Sequence, residues 1–388
     1  MEISKIMFAL LRFEICGTEL SDEVKTSISE EVFAPLYKLS KRHDLAHLVG
    51  DALDKNGLLS ENSEAKKRFL QERNMAIYRY EQMQYEYKQI CETLEKAEIP
   101  FIPLKGAVLR QYYPEPWMRT SCDIDILVKE EDLSSAKEKI SGDLGYQTDN
   151  KRTEHDVSLF SSNGIHLELH YTIEEHVKTM DVVLNQVWDY ANSSQLGKSN
   201  MFLQDNDFLL FHILSHMAFH ILTGGCGIRP FLDVFLLKQK KLVNDTVVKR
   251  LCESGGLAKF STVVDLLIEY WFFNGKSCDL VEELQNYVFF GGVYGVLENR
   301  VAVEQARAGT KKMYIIRRIF PPYETMCIRY PTLKKNKILL PLFIVKRWFV
   351  FLFSKRKQKT VREIWINANI TDDKKGQVLK LMEQLGLS

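Results

Sequence analysis

Asp123-Ile124-Asp125-Ile126-Leu127-Val128 and Ile165-His166-Leu167-Glu168-Leu169-His170 are the two stretches on which the fold turns. Successive side chains of a β-strand point to opposite faces, so the first stretch puts Asp123 and Asp125 on one face and Ile124 and Ile126 on the other. The second alternates in the same way, with Ile165, Leu167 and Leu169 inward and His166, Glu168 and His170 outward. Two carboxylates on one strand and a third on its neighbour hold a pair of divalent cations, whereas a lone acid does not. The pattern predicts a site for metal-dependent phosphoryl chemistry with Asp123, Asp125 and Glu168 as ligands.

Around these strands the chain reads as a small mixed sheet with helices. Ser161-Ser162-Asn163-Gly164 separates two alternating runs, Val157 to Phe160 and Ile165 to Leu169, which is a hairpin signal. Upstream, Phe101 to Leu104 is a short extended run. Lys105-Gly106-Ala107 follows, then a helical segment Val108 to Tyr112 and a proline-broken loop from Pro114 to Arg119. Glu130 to Ile140 predicts a helix ended near Gly142, and Tyr146 begins a second extended region.

Residues 1–98 read as helices: Phe8 to Phe13 and Pro35 to Leu53 carry apolar residues at spacings of three and four, and a long helix runs from about Glu64 to Ala97 before Ile99-Pro100 stops it. From Asp205 to about Glu304 the pattern is helical again, in Phe208 to Leu222, Pro230 to Lys238, Val247 to Phe260 and Val263 to Phe273. The expected fold class is α+β, a small mixed β-sheet core flanked by helical regions at both ends. Its expected parts are an N-terminal helical region (1–98), the core (99–180), a helical domain (181–325) and a basic C-terminal helical segment (326–388).

Composition narrows the function. A chain of 388 residues with 45% apolar content buries a real core, and its size suggests two or three domains. A net charge of +1 argues against a nucleic-acid binder that relies on bulk positive charge. The seven cysteines are odd in number and scattered without a CxxC pair, as expected of reduced thiols in the cytoplasm. The N-terminus lacks a charged-then-apolar signal architecture, and no apolar run reaches the ~20 residues that span a bilayer.

The order strand, glycine turn, helix, loop and acid-x-acid strand resembles the polymerase-β-like nucleotidyltransferases. Within them the chain looks most like a poorly characterised bacterial family that reads Leu-Lys-Gly, then Arg-x-x-x-Asp-x-Asp, then an acid-Leu-His strand end. The matching residues are Leu104-Lys105-Gly106, Arg119 through Asp125, and Glu168-Leu169-His170. His216 and the stretch from Arg229 to Asp233 also look similar. The resemblance implies transfer of a nucleoside monophosphate from an NTP, with two Mg²⁺ ions, or Mn²⁺ in their place, held by Asp123, Asp125 and Glu168. Asp123 and Asp125 take the shared ligand role, and Glu168 serves the ion that activates the attacking oxygen.

Gly106 and Ala107 are expected to approach phosphate, with Lys105 and Arg119 neutralising it. Ala107 stands where many relatives in the wider superfamily have Ser, and the third acid is Glu. These departures motivate a second reading, a degenerate module that binds nucleotide and serves regulation or interaction. The acceptor is unknown: a small molecule, a protein or RNA.

Other features have plainer rivals. Arg119 is also a candidate partner for Asp123 or Glu115. No lysine is expected where it would neutralise all three acids, so the unliganded cluster should repel itself. His212, His216 and His220 share one helical face, but no acid or cysteine partner falls in the spacing, and a buried or cleft-lining helix is expected there.

From Met326 to Arg362 the chain has eleven Lys or Arg and no Asp or Glu, around the apolar run Ile338 to Phe353. This is either a packed amphipathic helix with a solvated basic face or a surface for acidic partners such as anionic lipid. A third function follows from the latter, a peripheral membrane protein on a nucleotidyltransferase scaffold. If residues 326–362 recruit such a surface, neutralising Lys355, Arg356 and Lys357 weakens the contact.

Overall fold

The fold is described here from a computed structural model covering the chain except residues 153–154, 194–199, 274, 294, 331, 353–356 and 388, and except the side chains of 149–152, 324, 328, 352 and 357–359. Five helices come first: α1 (Ile3–Cys16), α2 (Asp22–Ser27), α3 (Glu30–Arg42), α4 (Ala46–Lys55) and α5 (Glu64–Lys96). Ser63 starts the long α5 by accepting a hydrogen bond from the Lys66 backbone N–H, as an N-cap serine does. The apolar spacing from Pro35 to Leu53 is real but is shared between α3 and α4. Pro35 is kept inside α3, and the chain breaks instead at Asp44, which takes φ 56°.

The sheet region contains β1 (Phe101–Pro103), α6 (Lys105–Leu109), β2 (Asp123–Val128), α7 (Leu133–Leu144), β3 (Gln147–Arg152), β4 (Asp156–Phe160) and β5 (His166–His170). Its five strands lie in the order β1-β2-β5-β4-β3, and β2 and β5 are parallel neighbours while the other pairs are antiparallel. β4 and β5 form the expected hairpin, closed by the Ser161 N–H on the Ile165 carbonyl at 2.9 Å, with Gly164 at φ 78°. α7 runs through Gly142 and ends at Gly145, whose left-handed φ of 71° lets it terminate the helix where a side chain would strain.

One face of the sheet is apolar. Ile124, Ile126, Val128, Leu167 and Leu169 pack with Met83, Ile90 and Leu94 of α5 and with Leu133, Ala136 and Ile140 of α7. This burial fixes the register: a slip of one residue would put the aspartates into the core. The other face of β2 and β5 is polar and looks into a cleft.

Beyond the sheet lie α8 (Lys178–Leu184), β6 (Ala191–Ser193), β7 (Phe202–Gln204), α9 (Asn206–Thr223), α10 (Arg229–Gln239), α11 (Asp245–Ser254) and α12 (Ala258–Phe272). The run read as one helix to Phe260 ends at Ser254, because Gly255 and Gly256 separate α11 from α12. The small β6–β7 ribbon has no counterpart in the sequence reading, and Met201 beside it bridges to Phe101.

The chain continues through α13 (Asp279–Gly291), α14 (Leu297–Ala308), α15 (Lys311–Ile319), α16 (Tyr323–Arg329), α17 (Thr332–Lys335), α18 (Leu340–Leu352), α19 (Lys357–Asn369) and α20 (Asp372–Leu385). A single large apolar cluster joins Ile6 and Leu10 of α1 to Phe208 and Phe211 of α9, Trp271 of α12 and Leu381 and Leu385 of α20. Residues near both ends of the chain thus share one core.

Two loops cross here on glycine. A Cβ on Gly225 would lie 2.8 Å from Gly291 Cα and 3.0 Å from Gly295 Cα, too close for any side chain. Gly225 also has φ 150°, so its lack of a side chain is required twice. The Val296 N–H donates to the Gly224 carbonyl at 3.2 Å and closes the crossing.

Candidate functional site

The polar face of β2 and β5 brings the three predicted acids together. Register pairs Asp123 with His166 and Asp125 with Glu168, so acids on parallel neighbouring strands stand side by side. Potential ligand atoms of Asp123, His166 and Glu168 all lie within 4.8 Å of one another, as do those of Asp125, Glu168 and His170. His170 Nε2 is 3.1 Å from Asp125 Oδ1 and 3.4 Å from Glu168 Oε2.

Charge inside the cluster is unevenly compensated. Burial, then repulsion from Asp125 and Glu168, pushes the Asp123 carboxyl up to about 7. Burial would raise Asp125 as well, but its hydrogen bond with His170 holds it below the ordinary carboxylate value. Burial would lower His170, yet its bonds to Asp125 and Glu168 outweigh this and raise it to about 9, so the ring is a cation at neutral pH. The expected self-repulsion of the acids holds at Asp123 and is corrected at Asp125, where His170 supplies a counter-charge from the same strand face. Asp123 has no hydrogen-bond or ion-pair partner among the described residues. A carboxylate without a donor beside two shared donor sets fits a divalent cation.

The cleft in front of the acids has a volume of about 460 Å³ and is lined by Leu104, Lys105 and Gly106, by the acids, and by α9 and α10 on the far side. Lys105, at the start of α6, has no hydrogen-bond or ion-pair partner among the described residues. Burial lowers its pKa, and the nearby Glu175 and Asp125 oppose that shift. Gly106 is buried with Arg119 and Ser121 beside it, and a Cβ there would meet Ser121 Cβ at 3.4 Å and Arg119 Nη1 at 3.5 Å. Ala107 follows in the same turn, its N–H on the Leu104 carbonyl at 3.1 Å.

Arg119 borders the cleft, but its partner is neither Asp123 nor Glu115. Its Nε and Nη2 donate to Asp233 Oδ1 and Oδ2 at 3.0 and 2.8 Å, and the Tyr113 hydroxyl donates to Asp233 Oδ1 at 2.8 Å. Arg229 on α10 reaches back to Asp44 Oδ2 and to the Thr120 carbonyl, tying the loop before β2 to the helices.

The far wall shows what sequence spacing missed. His216 Nδ1 lies 2.7 Å from Glu175 Oε1, and His216 Nε2 lies 3.0 Å from His220 Nε2. The acid partner that the histidine spacing lacked comes from the loop after β5, a non-local contact with no local signal. Burial opposes ionisation of Glu175, but the bond to His216 wins and lowers it to about 2. Burial lowers His220 to about 3. His212 is buried against Gln204 at 3.3 Å. So α9 is both buried and cleft-lining, as its composition predicts.

The sequence profile of a family described as "uncharacterised nucleotidyltransferase" matches residues 29–273, well over half the chain. The chain belongs to that family. No curated protein and no solved structure matches it. The matched stretch contains β1 to β5 and the helices α9 and α10 that face them. Membership of the family agrees with the resemblance read from Leu104-Lys105-Gly106 and the two acidic strands.

Proposed function

We propose that the chain transfers a nucleoside monophosphate from an NTP to an acceptor nucleophile, with divalent cations held by Asp123, Asp125 and Glu168. The observation that carries this reading is the register of β2 and β5, which gathers three acids on one face, opposite an unpartnered Lys105. In the transfer the acceptor oxygen bonds to the α-phosphorus, the bond to pyrophosphate breaks, and the acceptor proton leaves. Divalent ions in such a site neutralise phosphate charge and acidify the attacking group. Lys105 supplies a compact cation for the phosphates. Gly106 and Ala107 let the chain pass close to them. Arg119, its fork occupied by Asp233, contributes positive field and holds the loop before β2.

Incubation of the full chain with α-labelled NTP, Mg²⁺ or Mn²⁺ and cell extract tests this. Wild type is expected to transfer label, Asp125→Asn to lose at least ~100-fold because an amide is a poor ligand for a hard cation, and Lys105→Met to need about tenfold more NTP. Equal transfer by wild type and Asp125→Asn, or none by either, ends the enzymatic reading. Nucleotide binding without transfer would favour the regulatory module.

A second surface supports contact with anionic lipid. On and beside α18, Ile338, Leu342 and Phe349 are 86%, 66% and 59% exposed. Lys334, Lys335, Lys337, Lys346 and Arg347 lie in the same stretch of sequence, with no acid between Met326 and Arg362. Lys355 and Arg356 lie outside the described residues. Among the described residues no helix is long and apolar enough to cross a membrane. Apolar groups beside cations suit the plane of a headgroup layer. The chain is expected to float with phosphatidylserine vesicles and not with phosphatidylcholine ones. Raised salt and Leu342→Ser/Phe349→Ser should each reduce flotation several-fold. Indifference to lipid charge would reject the surface.

A further inference from the structure

We infer that Glu175, His216 and His220 form a proton relay on the cleft wall opposite the acids, with His220 taking the proton of the acceptor nucleophile. This rests on the transfer reading above and adds to it the destination of that proton. The relay is drawn from two elements. Glu175 lies in the loop after β5, where His176 turns the chain at φ 58° and the Glu175 N–H donates to Asp181 Oδ1 of α8 at 2.9 Å. His216 and His220 are one turn apart on α9, and their rings meet edge to face with centres 4.3 Å apart. All three residues line the cleft.

The hydrogen bonds fix where the protons sit. Glu175 is held below the ordinary carboxylate range, so at neutral pH it is a carboxylate and can only accept. The 2.7 Å contact therefore puts a proton on His216 Nδ1. In the neutral ring His216 Nε2 is then a lone pair, and the 3.0 Å contact puts the His220 proton on its Nε2. His220 Nδ1 is left as an acceptor with no hydrogen-bond partner among the described residues. The Glu175 side chain is 11% exposed against 36% for His216, so the carboxylate acts through the imidazole.

In the transfer, the acceptor O–H bond breaks, and its electron pair forms the bond to the α-phosphorus as pyrophosphate leaves with the pair of the bond it loses. The freed proton goes to His220 Nδ1, and the His220 Nε2 proton moves to His216 Nε2. The positive charge comes to rest on His216, beside the Glu175 carboxylate.

Without nucleotide both rings are weak bases. Burial and then the Lys105 cation lower His216, and burial, His216 and Lys105 lower His220 to about 3. Lys105 of α6 and Asp125 of β2 are the charged groups that act on His216 from the elements across the cleft, while His212 on the same helix is kept neutral by burial. Lys105 is also the cation expected to meet the phosphates, so a bound triphosphate cancels the charge that depresses the pair. Base strength is thereby tied to occupancy of the cleft.

Nuclear magnetic resonance of the full chain labelled with ¹⁵N-histidine tests this, because ¹⁵N shifts separate the two neutral tautomers from the cation. With peaks assigned through His216→Gln and His220→Gln, the wild type at pH 7 is expected to carry the His216 proton on Nδ1 and the His220 proton on Nε2. The α,β-methylene NTPs, tried in turn with Mg²⁺, are expected to raise the titration midpoint of the pair by about one pH unit or more. In the label-transfer assay, Glu175→Gln and His220→Ala should each lower kcat by ~100-fold or more with little change in the KM for NTP. Imidazole in the buffer should restore part of the His220→Ala rate and none of the Glu175→Gln rate, whereas a purely structural role predicts no rescue. The opposite tautomer at His216, a cationic pair at pH 7 without nucleotide, midpoints indifferent to every analogue, or equal transfer by wild type and His220→Ala would each overturn the relay. The wild-type spectrum decides even where a variant fails to fold. The expected tautomers and nucleotide-dependent shift without label transfer leave the relay standing and end the transfer reading; label transfer with the opposite tautomers does the reverse.

Discussion

Without metal at pH 8, Asp123→Asn is expected to raise the midpoint of thermal unfolding and Asp125→Asn to lower it, although the two residues share one strand face. Asp123 has a folded pKa of about 7 against an ordinary 3.8, so the fold prefers its neutral form. Its contribution to stability is complete below pH 3.8 and is lost as pH rises through 7. The loss is roughly 2–4 kcal/mol, and an asparagine, which never ionises, avoids it.

Asp125 is displaced downward, so its contribution is present above the ordinary carboxylate range and is lost only in acid. Replacing it removes a charged hydrogen bond to the His170 cation, at a cost of roughly 1.5–3 kcal/mol. Divalent cation should reverse the order for Asp123, since the wild type gains binding free energy that Asp123→Asn does not. Melting curves at pH 5 and pH 8, with and without Mn²⁺, check each part. Parallel shifts of both variants would show that the acids are an ordinary solvated face.

Asp233→Asn should be among the most damaging single changes in the chain. Asp233 and Arg119 are 2% and 8% exposed, and the carboxylate accepts two bonds from the guanidinium and one from Tyr113. Removing one charge of a buried pair strands the other, which costs about 3–5 kcal/mol. Arg119→Met/Asp233→Leu, which removes both charges, should recover much of that loss. It should still impair nucleotide transfer, because the loop before β2 keeps only one of its two anchors to α10, that of Arg229 on Thr120. Urea titration measures the stability of the three proteins. An Asp233→Asn protein within ~1 kcal/mol of wild type by that titration would mean that the pair is solvated in practice.

The acidic strands were readable because alternation is local: each apolar residue that pins Ile124 or Leu167 into the core also fixes the face of its neighbour. The hairpin and the long α5 were equally legible, since Asn163-Gly164 and the stop at Ile99-Pro100 are signals within a few residues. The compensation of charge was not. Whether Asp125 meets His170, Arg119 meets Asp233 or His216 meets Glu175 depends on packing between elements distant in sequence, and no spacing rule encodes it.

The glycine crossing of Gly225 with Gly291 and Gly295 bears on how such a cleft diversifies. The acids, Lys105 and the α9 wall all fall within the 29–273 stretch common to the family, but Val293, which also lines the cleft, lies outside it. The crossing brings Val293 against Gly227 of the cleft rim, where a Cβ would lie 3.1 Å from Val293 Cα. Part of the cleft lining is thus supplied from beyond the stretch that the family profile covers, and a larger or smaller side chain at Val293 would reshape the cleft without touching an acid.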